Sequence, residues 1–269
     1  EGIEPEELAR LLRWRDRLSW TTLTHVVLQG FFQQRANIGK GGEVSARETK
    51  LSKLSFKGLL SGLRSFIEKA QPPSRGTVWG EYAGDNSYAE PEAEAKRRFV
   101  VKMASVAKPG LLFDLGCNTG DYSLAALQAG AQYVVGFDFD FGALEQAVRR
   151  SESDRLPFLP LWLDATNPSP DQGWGQKERK GFGERVKGDA VLALAFIHHL
   201  AIARNIPLPM VIDWIMSIAP VGVLEFPPKS DPMVKLLLKN RDDIFPEYDE
   251  DHFLSLVQQR ARIIDREHL

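Results

Sequence analysis

Cysteine is nearly absent from this chain, which has one, Cys117. A single thiol excludes an internal disulfide framework and any multi-cysteine zinc site, and it suits a reducing cytoplasm. The five histidines show no metal-ligand spacing such as H-x-x-x-H, so no metal is expected. No apolar run approaches the ~20 residues of a membrane span, and no membrane partner is expected. The chain opens on Glu1 without a signal-peptide pattern, and it is expected to begin inside a longer one. Charge of one sign is also missing: the formal net charge is −2, which points neither to nucleic acid nor to an anionic membrane surface. The 269 residues and the 43% hydrophobic content suit one large soluble domain, or one domain with an appendage.

The informative stretch covers residues 111–140, LLFDLGCNTGDYSLAALQAGAQYVVGFDFD. Leu111, Leu112 and Phe113 predict a buried strand that ends in Asp114 and enters a turn, Gly116-Cys117-Asn118-Thr119-Gly120. Tyr122, Leu124, Ala125, Leu127 and Ala129 then predict a short helix, stopped by Gly130 in the position where a left-handed residue is wanted. A second strand, residues 133–137, ends in Asp138. Strand, glycine loop, helix, strand and terminal carboxylate form half of a nucleotide-binding βαβ unit, with the acid about 20 residues beyond the loop.

The loop lacks the G-x-G-x-x-G order that lets a pyrophosphate approach a helix N-terminus. Asp114 would repel phosphate and suits a cationic ligand. Asp114-x-Gly116-x-Asn118-x-Gly120 resembles motif I of class I S-adenosylmethionine-dependent methyltransferases, usually D/E-x-G-x-G-x-G. Asn118 replaces the middle glycine, and Asn tolerates positive φ better than other side chains. The resemblance implies S-adenosylmethionine as cofactor and S-adenosylhomocysteine as product. It also implies cofactor contacts from Asp114, Gly116, Cys117, Asn118 and Gly120. Asp138 would take the ribose hydroxyls, its two oxygens matching them bidentately, and Phe139 would cover the adenine. Asp140, past the strand, is expected to cap the next helix instead.

Further strand ends follow the same order. The third strand, residues 159–163, runs into Asp164-Ala165, which resembles motif III: the carboxylate accepts from the adenine amine and the Ala165 N–H reaches a ring nitrogen. The fourth, residues 191–196, brings Ala195 to the cofactor and leads into Ile197-His198-His199-Leu200. No Asp/Asn-Pro-Pro-aromatic motif stands there, which argues against methylation of an exocyclic base amine. His198 and His199 are the acid/base candidates, since a neutral imidazole can take a hydroxyl proton near neutral pH. A structural role, capping a helix or shaping the pocket, competes with that reading. Glu225, near the end of the fifth strand, is a second candidate base. Lys229 and Asp231 are expected to pair with each other or with substrate.

Before the sheet, residues 1–75 are expected to form a helical region and residues 76–269 the cofactor-binding domain. Lys40, Arg47, Lys50, Lys53 and Lys57 read either as a patch for an anionic substrate or RNA, or as a solvated connector; Phe56 is the single aromatic residue among them, too few to stack successive bases. Trp79, Tyr82 and Tyr88 can close over the site or pack between domains. On the helix from Pro91, the resemblance implies that Lys96, or one of its neighbours Arg97 and Arg98, can hold the methionine carboxylate.

Together with Trp79-Gly80-Glu81-Tyr82, the IHHL, EFPPKSDPMVKLL and RDDIFPEY stretches resemble a narrower group, methyltransferases akin to those of rhizobial nodulation loci. The expected fold is a three-layer α/β/α Rossmann-like methyltransferase sheet of order 3-2-1-4-5, plus an edge strand at Arg262-Ile263-Ile264. The expected activity is transfer to a hydroxyl of a small molecule or glycan. A non-catalytic cofactor-binding module and an RNA methyltransferase are the alternatives, although nucleic acid is not the expected partner.

Overall fold

The computed structural model describes residues 3–37, 52–70, 90–239 and 241–269. The chain divides into two compact units, Glu1–Ser74 and Arg75–Leu269, each described by itself.

In the first unit, Pro5 and two acids in the opening turn start helix α1, Pro5–Leu11, because Pro at the start loses no hydrogen bond and acids favour the N-terminal dipole. The leucine spacing predicts continuation to Leu18, but Leu12 turns extended and ends the helix. A second helical run, α2, covers residues 20–37. Ser19 caps it by accepting from the Thr22 N–H, and it contains a π turn at Leu23–Val27. Ser52 caps α3, Lys53–Lys69, in the same way through Ser55. Among the described residues of this unit only Gly30 is buried. A Cβ there would stand 3.0 Å from Glu6 Cα and from the Pro5 carbonyl, so glycine lets α1 lie directly on α2. Of the basic stretch, Lys53 and Lys57 lie on α3, while Lys40, Arg47 and Lys50 fall outside the described residues.

The second unit is built on five parallel strands in the order β3-β2-β1-β4-β5. They are β1 Leu111–Leu115, β2 Tyr133–Asp138, β3 Phe158–Trp162, β4 Ala190–Ala193 and β5 Val221–Leu224. Its helices are α4 Glu90–Ala107, α5 Asp121–Gln128, α6 Phe141–Ser153, α7 Phe182–Arg185, α8 Leu208–Met216, α9 Pro232–Leu238 and α10 Glu250–Gln258. Alternation along the strands divides the core in two, because successive side chains point to opposite faces. Leu112, Ala190 and Leu192 pack with Val100 and Ala104 of α4, Ala125 of α5 and Ala147 of α6. Phe113, Val191 and Ala193 pack with Val211, Ile212 and Ile215 of α8 and Phe253 of α10. Both faces are covered, as parallel sheets require.

The edge strand expected at Arg262-Ile263-Ile264 does not form: residues 262–269 are neither helix nor strand. Charged side chains hold this tail, with Asp265 bonded to Lys102 of α4 and Arg266 to Glu250 of α10. A segment with so few apolar side chains has little to bury on a sheet edge. Lys229 and Asp231 do not pair either. Lys229 meets Asp243 at 2.7 Å, while Asp231 accepts from the Met233 and Val234 N–H groups and caps α9. Among the described residues, no helix is long and apolar enough to cross a membrane.

Candidate functional site

At the carboxyl end of β1 the chain turns through three left-handed residues, Gly116 at φ +76°, Asn118 at +47° and Gly120 at +87°. Asn118 holds its conformation by local bonding, its Oδ1 accepting from the Thr119 N–H at 2.8 Å. The loop is tied to the end of β2. Gly116 and Cys117 donate their N–H groups to the Phe137 carbonyl at 2.8 and 3.0 Å, and the Asn118 N–H donates to Asp138 Oδ2 at 2.9 Å. Asp138 Oδ1 accepts from the Asp140 N–H, and Asp140 caps α6 through the Ala143 N–H. Glycine is also required by close approach: a Cβ on Gly120 would sit 2.5 Å from the Phe158 ring. Glycine at this position is thus explained by the Phe158 ring packed against it.

Three carboxylates stand at or just after the ends of adjacent strands, each in a different setting. Asp114 is 3% exposed and accepts from Ser123 Oγ at 2.6 Å. Burial pushes its pKa up to about 7, against the lowering effect of that bond. Burial also raises Asp138, although its backbone bonds to Asp140 and Asn118 oppose this. Asp164, near the surface, is lowered because the Thr166 hydroxyl and N–H both donate to its Oδ1, at 2.6 and 2.9 Å. Cys117 is buried in the loop, and burial together with Asp114 and Asp138 pushes its thiol well above the usual range, so it is an inert packing group. Phe139 is half exposed, and its carbonyl accepts from Trp162 Nε1 at 3.0 Å. Trp162 in turn stacks on Phe141, with centroids 5.9 Å apart. Ala165 is half-buried beside Asp164.

The second half of the site lies beyond β4 and β5. Ala195 takes φ +47°, and its N–H donates to Glu225 Oε2 at 2.8 Å. The other oxygen of Glu225 meets Lys96 Nζ at 2.8 Å, with the Lys96 side chain 3% exposed. Next in sequence, Phe196 lies over Gly116, where a Cβ would stand 3.2 Å from its ring. His198 is 1% exposed, and neither of its ring nitrogens has a hydrogen-bond partner among the described residues. Burial, then His199, then Lys96 hold its pKa down to about 3. His199 is half-buried with its ring 4.1 Å from that of His198, and burial lowers it too. Both imidazoles are therefore neutral near pH 7.

The structure brings Gly116, Cys117, Asn118, Gly120 and Asp138 into one hydrogen-bonded loop assembly, with Asp114 bonded to Ser123 beside it, and it joins Lys96, Ala195 and Glu225 in another. Trp79, Tyr82 and Tyr88 lie outside the described residues. Two contributors escaped the sequence reading. Ser123 carries no signal beyond lying on the helix after the loop. Trp162 is a large aromatic just before a strand-end acid, a position that marks it for notice. No group of three or more His, Cys, Asp or Glu side chains among the described residues has the arrangement of a metal site.

The residues present fit a cationic adenosyl ligand in one respect, the carboxylates that stand at or just after the ends of β1, β2 and β3. No family model matches the chain. The nodulation protein NoeA of Rhizobium meliloti (strain 1021) is 42% identical over 268 residues, which cover 99% of this chain and 56% of NoeA. The chain thus spans little more than half the length of that relative. Among solved structures, the bifunctional kinase-methyltransferase WbdD aligns over 69% of this chain and 39% of its own, at 18% identity and a TM-score of 0.41. The methyltransferase domain of bacterial CtHen1-CN aligns over 62% and 85%, at 16% identity and a TM-score of 0.43.

Proposed function

This chain is a relative of the nodulation protein NoeA built on the 3-2-1-4-5 parallel sheet of class I methyltransferases, and from that premise we propose that it is an S-adenosylmethionine-dependent methyltransferase acting on a hydroxyl of a small molecule or glycan. The observation that carries this reading is the left-handed loop of Gly116, Asn118 and Gly120, tied to Asp138. It sets a carboxylate beside the turn that leaves β1. In this assignment residues 76–269 bind the cofactor.

When bound, S-adenosylmethionine supplies a methyl group activated on a positively charged sulfur. Asp138 accepts from the ribose hydroxyls, and Asp164 with the Ala165 N–H addresses the adenine edge beside Phe139. Asp114 offsets the ligand's positive charge. His199 is the base: it is half-buried and neutral, and it takes the acceptor hydroxyl proton as the oxygen attacks. His198, buried against it with the rings 4.1 Å apart, orients the ring. Glu225 is not the base, because its oxygens are engaged by Lys96 and the Ala195 N–H. Much of the acceleration comes from positioning for in-line displacement.

Calorimetry on the folded protein tests the cofactor assignment. S-adenosylmethionine and S-adenosylhomocysteine should both bind, and Asp138→Ala and Asp164→Ala should each weaken binding about tenfold or more, the equivalent of ~1.4 kcal/mol. A flat titration of the wild-type protein would overturn the reading. Transfer of labelled methyl across hydroxylated metabolites, glycans and RNA then identifies the acceptor class, and incorporation into RNA alone would replace the hydroxyl-metabolite assignment.

A further inference from the structure

Glu225, half-buried, and Lys96, buried, form an ion pair at the carboxyl edge of the sheet. They come from β5's exit and from the helix preceding β1, and what the pair holds is backbone. The Ala195 N–H donates to Glu225 Oε2 at 2.8 Å while Lys96 Nζ meets Oε1 at 2.8 Å. The Glu225 N–H donates to the Ala193 carbonyl at 3.0 Å, so side chain and backbone of one residue grip the β4 exit at two points.

The gripped turn is strained. Ala195 has φ +47°, a conformation that costs on the order of 1 kcal/mol or more for a residue other than glycine and persists only when its surroundings enforce it. The next residue shows why the turn matters. Phe196 reaches the cofactor loop, its ring edge 3.2 Å from where a Gly116 Cβ would stand, and it stacks on Trp214 with centroids 6.3 Å apart. A regular strand through Ala195 would aim Phe196 elsewhere.

We propose that Glu225, held in place by Lys96, is a positioning residue: through the Ala195 N–H it locks the left-handed turn that lays Phe196 against Gly116 and so sets the cofactor loop. This rests on the cofactor assignment above. It gives a purpose to two charges buried at one point, where an ion pair on its own brings little net stability. It also joins α4, β4, β5 and the glycine loop into one unit.

The decisive comparison is between two double variants of nearly equal shape, Lys96→Met/Glu225→Gln and Lys96→Met/Glu225→Leu. Both remove the buried charges, but only the glutamine keeps an oxygen for the Ala195 N–H. Both doubles lack Lys96 alike, so the glutamine double should bind S-adenosylhomocysteine about tenfold or more tightly than the leucine double. Hydrogen exchange over residues 194–199 without ligand should stay slow in the former and become fast in the latter. Should the leucine double fail to fold, Glu225→Asp, one methylene too short to span both partners, replaces it with the same expected losses. Equal affinity and equal exchange in the two doubles would overturn the proposal. If wild type binds no S-adenosylhomocysteine, the cofactor assignment fails, and the exchange comparison alone decides whether Glu225 locks the turn.

Discussion

Asp114 and His198 are buried in opposite senses. Asp114 keeps its proton in the fold up to about pH 7, whereas an unfolded chain releases it near 4. Between those values the folded state holds more protons, so its contribution to stability falls as pH rises and levels off above about 7. Asp114→Asn should remove this slope and leave the ligand-free protein more stable at pH 8, by on the order of 1–3 kcal/mol in urea denaturation. A cationic ligand draws the carboxylate into its charged form and releases the proton. Affinity for S-adenosylmethionine should therefore rise from pH 6 to 8 in wild type and stay flat in Asp114→Asn. His198 has the reverse sign: its folded pKa is depressed to about 3, so its contribution is full above about pH 6.5 and is lost as pH falls from there. Replacing it with leucine should make the stability less sensitive to acid between pH 6.5 and 4, as measured by thermal denaturation across that range.

At the scale of elements, the glycine loop depends on Phe158 of β3 as much as on its own residues. Gly120→Ala adds a Cβ 2.5 Å from that ring at φ +87°, and it should destabilise by about 2–4 kcal/mol through strain and overpacking. Asn118→Gly, at φ +47°, relieves backbone strain but loses the bond to the Thr119 N–H, and it should stay within about 1 kcal/mol of wild type. Urea denaturation of the two variants separates these outcomes. Most of this loop was legible in the sequence, because its signals are local: an apolar run, an acid, spaced glycines, then a second run ending in Asp138. Asp140 as a cap was legible for the same reason, since capping acts over three residues.

Over the whole molecule, the two units differ in how much they bury. Leu18, Trp20, Phe32, Leu54 and Ile67 are exposed in the first, whereas β1, β4 and α8 of the second carry fully buried Leu112, Leu192 and Ile212. Slow exchange needs buried, well-packed hydrogen bonds. Deuterium uptake should therefore be slow over β1, β4 and α8 and fast over α1 and α3, and uniform protection would show that the first unit gains a core in solution. The tail after α10 illustrates a limit of pattern reading. Arg262-Ile263-Ile264 has the composition of a short strand, yet ion pairs to α4 and α10 hold the tail, and no local pattern encodes partners that distant.

What the sequence determined by itself is the order of elements around residues 111–165 and the carboxylates in or just after the strand ends, because periodicity, turn chemistry and capping are short-range effects. It also excluded a disulfide within these residues, since it carries a single thiol. Only the tertiary structure decided which charges meet. Lys96 and Glu225 are far apart in sequence, and each reads alone as an independent cation or base. Burial at one sheet edge joins them, because neither charge can leave water without a partner.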